Sequence, residues 1–358
     1  MFLALKEIKF SKLKYSLIIG IITLIAYAVF MLSGLANGLA VEFKQAIVDW
    51  NGEQIILSDD SNKNLSASQL TEKNLEDVAA TKKAPLSIYN GAIKNKNDKI
   101  NIILFGTSSD AFILPELLEG HQPNEEHEIS ISKNLADLGY KINDTIKMGK
   151  DSIPMKVVGI SPTTFYAVTP VIYSSIEDAN TIKYGENFTP QDNEQPMNAI
   201  VTQDKATKIN SSATPDLAKL TIENFIESLP GYAEQNLTLN AMIYFLFVIV
   251  TTIIGIFMYV LTLQNASIFG VMKAQGISNG FIINALIKQS LLVGLFGISL
   301  GFAIAYITSL ILPSTMPFEV PLQLWSIYSL VLLLVTVLGS IFSIRTITNV
   351  DPMKAIGG

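Results

Sequence analysis

The sequence predicts a membrane protein with four transmembrane helices and one extracytoplasmic mixed α/β domain, inserted between the first and second helices. Two observations support this prediction. Of the 358 residues, 49% are hydrophobic and only 16% are charged, which is too apolar for an ordinary soluble protein. The charges are also unevenly placed, because four long runs contain none: 15–41, 235–272, 289–318 and 320–344. A helix needs about 20 apolar residues to cross a bilayer, and each of these runs is longer than that.

The basic residues orient these spans. Residues 40–238 contain 17 lysines, no arginine and 28 acidic residues, a net charge of −11, whereas the rest of the chain has a net charge of +5. Lysine and arginine near span ends favour the cytoplasmic side. This rule places the N-terminus, the loop 264–288 and the C-terminus in the cytoplasm. The acidic segment 40–238 is then extracellular, and the chain is a multi-pass protein of the cell membrane, in contact with lipid.

The segment boundaries follow from the uncharged runs. The run 235–272 turns polar at "LQNAS" (263–267), so we assign it one span. The first run follows four lysines, as a secretory signal would, but it is too long for a signal core and lacks a clear cleavage site. The expected segments are 1–14 cytoplasmic, 15–39 first span, 40–238 extracellular domain with stalk helices, 239–263 second span, 264–287 cytoplasmic coupling segment, 288–312 third span, 313–321 extracellular loop, 322–345 fourth span and 346–358 cytoplasmic tail.

Several classes of chemistry are disfavoured by what the sequence lacks. It has no cysteine, so neither disulfides nor thiolate metal sites are expected. It has no Gly-x-x-x-x-Gly-Lys-Ser/Thr loop to hold ATP phosphates, and no hydrolase or zinc-protease motif, so we expect no intrinsic cofactor and no enzymatic activity in this chain. Basic residues number 25 against 31 acidic residues, which disfavours nucleic-acid binding.

The inserted domain contains short runs of branched residues bounded by turn formers, a pattern typical of strands. These runs are "EQIILS", "KINIILFG", "EISIS", "TIKMG" and "IPMKVVGIS". Leucine spacing in "SASQLTEKNLEDVAA" (66–80) predicts an amphipathic helix, and "SKNLADLGY" (132–140) predicts a shorter one. We expect the first span helix to continue as a stalk until Asn51 and Gly52, and 214–236 to form a returning stalk.

Three stretches resemble the MacB/FtsX-type ABC transporter permeases. The run 128–179 is similar to the core of the family's extracytoplasmic domain, with a Gly-Asp-Thr-like turn at Asn143-Asp144-Thr145 and the strand "VVGI" at Val157–Ile160. The stretch "GVMKAQGISNGFI" resembles the family's segment between the second and third spans, although Gln275 and Ile277 depart from the usual residues. The tail "NVDPMKAI" resembles the family's Asp-Pro-x-x-Ala ending. Order and spacing agree over nearly the whole chain.

This resemblance implies a partner ABC ATPase subunit that binds Mg-ATP. Such a subunit needs a contact on the permease, and we predict that 264–284 is the coupling helix, broken by Gly276 and Gly280. Lys273 keeps the segment in water, and the apolar side chains fill a groove on the partner. The predicted coupling residues are Phe269, Met272, Lys273 and Gly276, with Ile268 and Val271 beside them.

Four spans are few for a transport path, so we expect a homodimer. Gly34-x-x-x-Gly38 in the first span and Gly297-x-x-x-Gly301 in the third allow helix backbones to approach closely. We interpret both motifs as packing sites whose partners the sequence does not identify.

Within this family, length, span number, the compact outer domain and the opening "FLALKEIKFSKLKYSLI" resemble the HrtB-type haem-efflux permeases of Gram-positive bacteria. The resemblance implies that haem enters sideways from the outer leaflet. A site for haem needs an iron ligand and aromatic surfaces. The candidate substrate-binding residues are Met31, Tyr166, Tyr232, Met242 and Tyr244. Each has an alternative role, as packing for methionine or as an interfacial anchor for tyrosine.

Other interpretations stay open. The segment "HQPNEEHE" (121–128) contains both histidines, but Pro123 and Asn124 favour a surface turn over a metal site. FtsX-type permeases instead regulate an extracellular partner by mechanotransmission. A third alternative keeps efflux but replaces haem by a peptide, an antibiotic or a lipid.

Overall fold

The computed structural model describes residues 11–95, 98–210, 213, 215–264, 266–313 and 316–341. The chain divides after Gly38 and after Gln235 into two compact units. We call the central unit, Leu39–Gln235, the inserted domain. The remainder is the membrane unit. Helix α1 (Lys12–Asp49) contributes residues to both units.

Among the described residues, four helices are long and apolar enough to cross a membrane, which confirms the predicted span number. These candidate spans are Lys12–Asp49, Tyr232–Phe257, Asn279–Ser309 and Leu322–Ser340. They lie in α1, α5 (Tyr232–Gln264), α7 (Asn279–Ser309) and α8 (Leu322–Ile341); the short α6 (Ala266–Ala274) follows α5. A helix satisfies its own backbone hydrogen bonds, which is the requirement for a single segment in hydrocarbon. The helical assignment therefore follows from the uncharged runs.

The third span packs closely against the first. A Cβ atom added at Gly297 would lie 2.7 Å from a methyl carbon of Ile22, and one added at Gly301 would lie 2.7 Å from Cβ of Ala26. Only hydrogen fits at these two positions. The Gly297-x-x-x-Gly301 motif is thus a helix-packing site, and its partner is α1 of the same chain.

The other glycine motif has a different partner. Gly34 lies under the ring of Phe318, and Gly38 lies under the backbone of Pro317. The Glu319 backbone N–H donates to the Gly34 carbonyl at 3.2 Å, and the Asn37 amide donates to the Glu319 carboxylate at 3.1 Å. The loop before α8 therefore occupies the small-residue face of α1 around Gly34 and Gly38.

The described part of the inserted domain contains fifteen strands: β1 Gln54–Ser58, β2 Leu70–Thr71, β3 Val78–Ala79, β4 Lys83–Asn95, β5 Asp98–Gly106, β6 Glu119–Gly120, β7 Glu128–Ser132, β8 Thr145–Met148, β9 Ile153–Ser161, β10 Phe165–Tyr166, β11 Thr169–Ser174, β12 Pro196–Met197, β13 Ala199–Thr202, β14 Lys208–Ile209 and β15 Leu217–Thr221. Eleven of them form one mixed sheet. Nine follow the order β15-β1-β13-β4-β5-β11-β7-β9-β6, while β10 pairs with β11 and β8 with β9. All pairs are antiparallel except β5–β11 and β7–β9. Two further pairs, β2–β12 and β3–β14, stand apart.

Short helices cover the sheet. They are α2 (Lys133–Asp137), α3 (Ile176–Tyr184) and α4 (Ile222–Glu227), and 3₁₀ turns occur at Asp59–Ser61, Glu72–Leu75 and Gln191–Asn193. On one face, Ile129 and Ile131 pack with Ile182 of α3. On the other face, the last turns of α1 bury Ile47 and Trp50 in the main core. Helix α1 ends at Asp49, two residues before the predicted stop at Asn51. The predicted mixed α/β class is confirmed.

One helix predicted in the inserted domain is absent, and the predicted returning stalk is helical only at 222–227 and from Tyr232 onward. Residues 66–80 form β2, a 3₁₀ turn and β3, because the buried Asn74 accepts a hydrogen bond from the Thr71 backbone N–H at 3.0 Å and closes a turn there. Residues 217–221 of the predicted returning stalk form strand β15 instead. They pair with β1, whose outer edge would otherwise lack hydrogen-bond partners.

We expect Gly301→Ala to lower the thermal unfolding midpoint of the detergent-purified protein. The added methyl group would lie 2.7 Å from Cβ of Ala26 and 2.9 Å from the Thr23 carbonyl oxygen, so α1 and α7 must separate. Overpacking of this kind costs about 1–3 kcal/mol. Gly20→Ala is the matched control, because no atom lies within 4 Å of its added Cβ. Equal midpoints for the two variants would contradict the close α1–α7 approach.

Candidate functional site

Between the second and third spans the chain forms a compact helical hairpin, 266–286, made of α6, a turn and the start of α7. The turn is a Schellman motif: the Ile277 N–H donates to the Met272 carbonyl at 3.0 Å and the Gly276 N–H to the Lys273 carbonyl at 2.9 Å. Gly276 has φ +83°, a left-handed conformation that other residues adopt at a cost. Ser278 then caps α7 by accepting a hydrogen bond from the Phe281 N–H at 3.3 Å.

The hairpin has its own small apolar core. Phe269 is 5% exposed and packs with Ile282 and Leu286, and Met272 and Ile277 pack against the same cluster. The side chains of Ile268 (55% exposed), Val271 (43%) and Phe281 (54%) point away from it. The outward apolar surface of the hairpin therefore consists of Ile268, Val271 and Phe281, while Phe269 and Met272 hold the hairpin together.

Of the two glycines predicted to break this segment, only Gly276 does so. Gly280 lies in the first turn of α7, inside a continuous helix from Asn279 to Ser309. The prediction of a break at Gly280 is wrong, because the Ser278 cap starts the helix before it.

Three candidate substrate residues lie in the membrane unit. Met31 is half-buried on α1 and packs against the core that the four span helices share. Met242 and Tyr244 lie near the outer end of the second span and are 50% and 63% exposed. Their side chains are available to lipid or to a molecule dissolved in it.

The other two candidates lie in the core of the inserted domain. Tyr166 is 7% exposed, with its ring 5.4 Å from that of Phe105, and Tyr232 is 9% exposed, with its ring 5.7 Å from that of Phe43. Burial raises the pKa of Tyr166 far above its ordinary value. Both rings support the end of α1 and its neighbouring sheet face. A role of any of the five residues in substrate binding stays a prediction.

The histidine-containing turn 121–128 is held by two carboxylates. Asp178 accepts the His127 backbone N–H at 3.1 Å, and Glu128 accepts those of Asn124 and Glu125 at 3.1 Å. Burial acts to raise the pKa of Glu128, but these two hydrogen bonds and the charges of His121 and Lys156 outweigh it, so its pKa lies below the ordinary value. Among the described residues, no group of histidine and carboxylate side chains is arranged to hold a metal ion.

One polar contact inside the membrane unit was missed by sequence reasoning. The Gln289 side chain of α7 donates to the hydroxyl of Tyr15 on α1, and both residues are almost fully buried, at 2% and 3% exposure. The available signal was the polar amide of Gln289 within a predominantly apolar span. Nothing in the sequence indicated its partner.

Comparison with known proteins agrees with this architecture. The profile described as FtsX-like permease C-terminal matches residues 240–352. Over 99% of this chain and 99% of the relative, the chain is 29% identical to the putative hemin transport system permease protein HrtB of Staphylococcus haemolyticus, and it is 28% identical to HrtB of Staphylococcus epidermidis at the same coverage.

Together these matches support an ABC transporter permease of the MacB/FtsX type. The chain is also 22% identical, over its full length, to an uncharacterised ABC transporter permease of Mycobacterium tuberculosis. The permease is thus a multi-pass membrane subunit, and its inserted domain is extracellular.

Solved extracytoplasmic domains resemble this permease only distantly. The periplasmic region of MacB from Actinobacillus actinomycetemcomitans aligns with 54% of this chain and 98% of its own, at 10% identity and a TM-score of 0.34. The extracellular domain of YknZ from Gram-positive bacteria aligns with 43% of this chain and 83% of its own, at 12% identity and a TM-score of 0.31. At these scores the likeness adds nothing to the family assignment.

We expect Glu128→Gln to destabilise the extracellular domain at pH 7 and to remove part of its acid sensitivity. The folded-state pKa of Glu128 is lowered, so its stabilisation is present above the ordinary value of 4.5 and is lost as the pH falls through the folded-state pKa. Hydrogen bonds to a charged group contribute about 1.5–3 kcal/mol.

The measurement is the thermal unfolding midpoint of the full-length protein at pH 7 and about pH 3.5. Glu125→Gln changes an exposed carboxylate in the same turn and is the control. If Glu128→Gln and Glu125→Gln have the same unfolding midpoint at each of the two pH values, Glu128 does not hold the turn.

Proposed function

We propose that this permease, as a homodimer with a separate ABC ATPase subunit, exports haem from the membrane. The observation that carries the proposal is the end-to-end similarity, at 28–29% identity, to permeases named for hemin transport. The other features of the chain are compatible with it. Haem is amphipathic and partitions into bilayers, and a permease with lipid-exposed spans can take it up from there.

Residues in the membrane unit are the better candidates for contacting haem. Methionine thioethers ligate haem iron in cytochromes, which makes Met31 the candidate iron ligand. Tyr244 offers an exposed aromatic ring for the porphyrin. Met242 is exposed on the same part of α5. Tyr166 and Tyr232 are weaker candidates for contacting haem, because both rings are packed in the core of the extracellular domain.

The proposed orientation places both termini and the hairpin 266–286 in the cytoplasm, in agreement with the basic residues that flank the spans. The hairpin then faces the ATPase. Its compact core and the exposed apolar side chains of Ile268 and Val271 provide the contact for a groove on the partner. Phe269 and Met272 act indirectly, by fixing the shape of this contact.

Haemin titration of the purified permease tests the substrate. We expect a Soret band that saturates in proportion to protein, and an affinity about tenfold weaker in Met31→Leu, which keeps the apolar volume but removes the sulfur ligand. Met148→Leu makes the same change in the buried core of the extracellular domain and should bind as the wild type does. Absence of haemin binding by the wild type would contradict haem export.

Charge substitution in the hairpin tests the ATPase contact. Ile268→Asp with Val271→Asp should abolish the permease-dependent stimulation of ATP hydrolysis without changing the yield or the unfolding midpoint, because both side chains are exposed. Phe269→Ala should instead lower the midpoint, since it empties the hairpin core. Normal stimulation in the double aspartate variant would exclude this face as the contact.

Mechanotransmission is the second candidate, and the continuity of α1 favours it. One helix, Lys12–Asp49, contains the first span and ends in the core of the extracellular domain. ATP hydrolysis stimulated by haemin supports efflux. Recovery of a cell-wall enzyme on the extracellular domain, without stimulation by any small molecule, supports mechanotransmission. Stimulation by a peptide, an antibiotic or a lipid in place of haemin would keep efflux and change the substrate.

A further inference from the structure

A buried amide in the third span is the starting point. Gln289 is 2% exposed and lies within the third candidate membrane span, Asn279–Ser309. Burying an amide without a partner costs several kcal/mol, which disfavours glutamine at such a position unless its hydrogen bond is kept. Its side chain donates to the Tyr15 hydroxyl, so the bond joins α7 to the cytoplasmic end of α1.

The amide sits within a continuous buried stripe along α7. The stripe recurs every three or four residues and consists of Ile282, Leu286, Gln289, Val293, Gly297 and Gly301. Its first two members pack against Phe269 of the hairpin 266–286. Its last two face α1, at Ile22 and Ala26. One face of α7 therefore contacts the hairpin near its first turns and α1 further along the helix. Gln289 lies between these two contact regions.

A second contact ties α1 to the same region. Lys14 Nζ donates to Gln264 Oε1 at 2.7 Å, and Gln264 is the last residue of α5 before the hairpin. This bond is exposed, so water competes with it and it contributes less than the buried one. At its other end, α1 buries Phe43, Ala46 and Ile47 in the core of the extracellular domain.

We propose that the Tyr15–Gln289 hydrogen bond locks α1 to α7, so that a displacement of the hairpin 266–286 is carried by α1 to the extracellular domain. Tyr15 and Gln289 are positioning residues in this proposal and touch neither substrate nor nucleotide. It rests on the proposed function in one respect, namely that an ATPase partner moves the hairpin. Haem as the substrate is not required.

The test uses a single reporter on the extracellular part of α1. The chain has no cysteine, so Val48→Cys, at a position that is 51% exposed, can be labelled uniquely with an environment-sensitive fluorophore. The labelled permease is assembled with its ATPase in lipid nanodiscs. The change in emission upon addition of Mg-ATP is then compared with the rate of ATP hydrolysis.

Tyr15→Phe and Gln289→Leu should each reduce the ATP-induced emission change about fivefold while hydrolysis continues. The double variant should lose no more than either single variant, because both remove the same bond. Thr23→Val is the matched control: it removes a buried hydroxyl on α1 that bonds to Ile19 within its own helix, at 2.8 Å. This control should keep the full signal.

Three results would overturn the linkage: an unchanged signal in both single variants, additive losses in the double variant, or an equal loss in Thr23→Val. The readout contains no haemin. A complex that transmits the ATP signal but does not bind haemin would therefore contradict the proposed substrate and support the linkage.

Discussion

The close approach of α1 and α7 is the contact on which the membrane unit depends. Hydrocarbon gives two apolar helices no reason to prefer each other over lipid, so their association relies on packing and on polar contacts. Gly297 and Gly301 provide the packing, since an added Cβ at either would overlap α1. Tyr15 and Gln289 provide the polar contact at one end of the same interface. The remaining spans then complete a shared core around Phe30 and Trp325.

The extracellular domain depends on α1 as well, for a different reason. Its sheet is one layer with two faces, and each face needs apolar cover. Helix α3 covers one face, whereas the last turns of α1, with Trp50, cover the other. A domain inserted after a transmembrane helix has thus used the extension of that helix as part of its own core. Truncation of the stalk would remove core residues as well as a linker.

Much of the architecture could be predicted from sequence because charge placement and strand patterns are local properties. The spans, the strands around "EISIS" and the extension of α1 all follow from such patterns. The sequence predictions failed where the hydrogen bonds and contacts of a segment depend on partners that its local pattern does not reveal. Residues 66–80 have leucines at helical spacing, but Asn74 closes a turn, and Leu70 and Leu75 join one small core from a strand and a 3₁₀ turn. Residues 217–221 pair with a strand about 160 positions earlier, a contact that no local pattern encodes.

The candidate site shows the same limit at the level of single side chains. An apolar residue in a short helix can face its own hairpin or face outward, and composition does not distinguish Phe269 from Ile268. That choice is made by the Schellman turn at Gly276, which brings α7 back against one side of α6. Similarly, Gly34 and Gly38 were recognisable as a packing motif, but only the folded chain identifies Phe318 and Pro317 as the partners.

The position of Phe318 over Gly34 has a consequence for the spacing of the residues around it. Pro317, Phe318 and Glu319 contact Gly38, Gly34 and Asn37 as three consecutive residues. An insertion or deletion within this tripeptide would separate the ring from the carboxylate and break at least one of these contacts. The uninterrupted order of the three residues therefore matters as much as their identities.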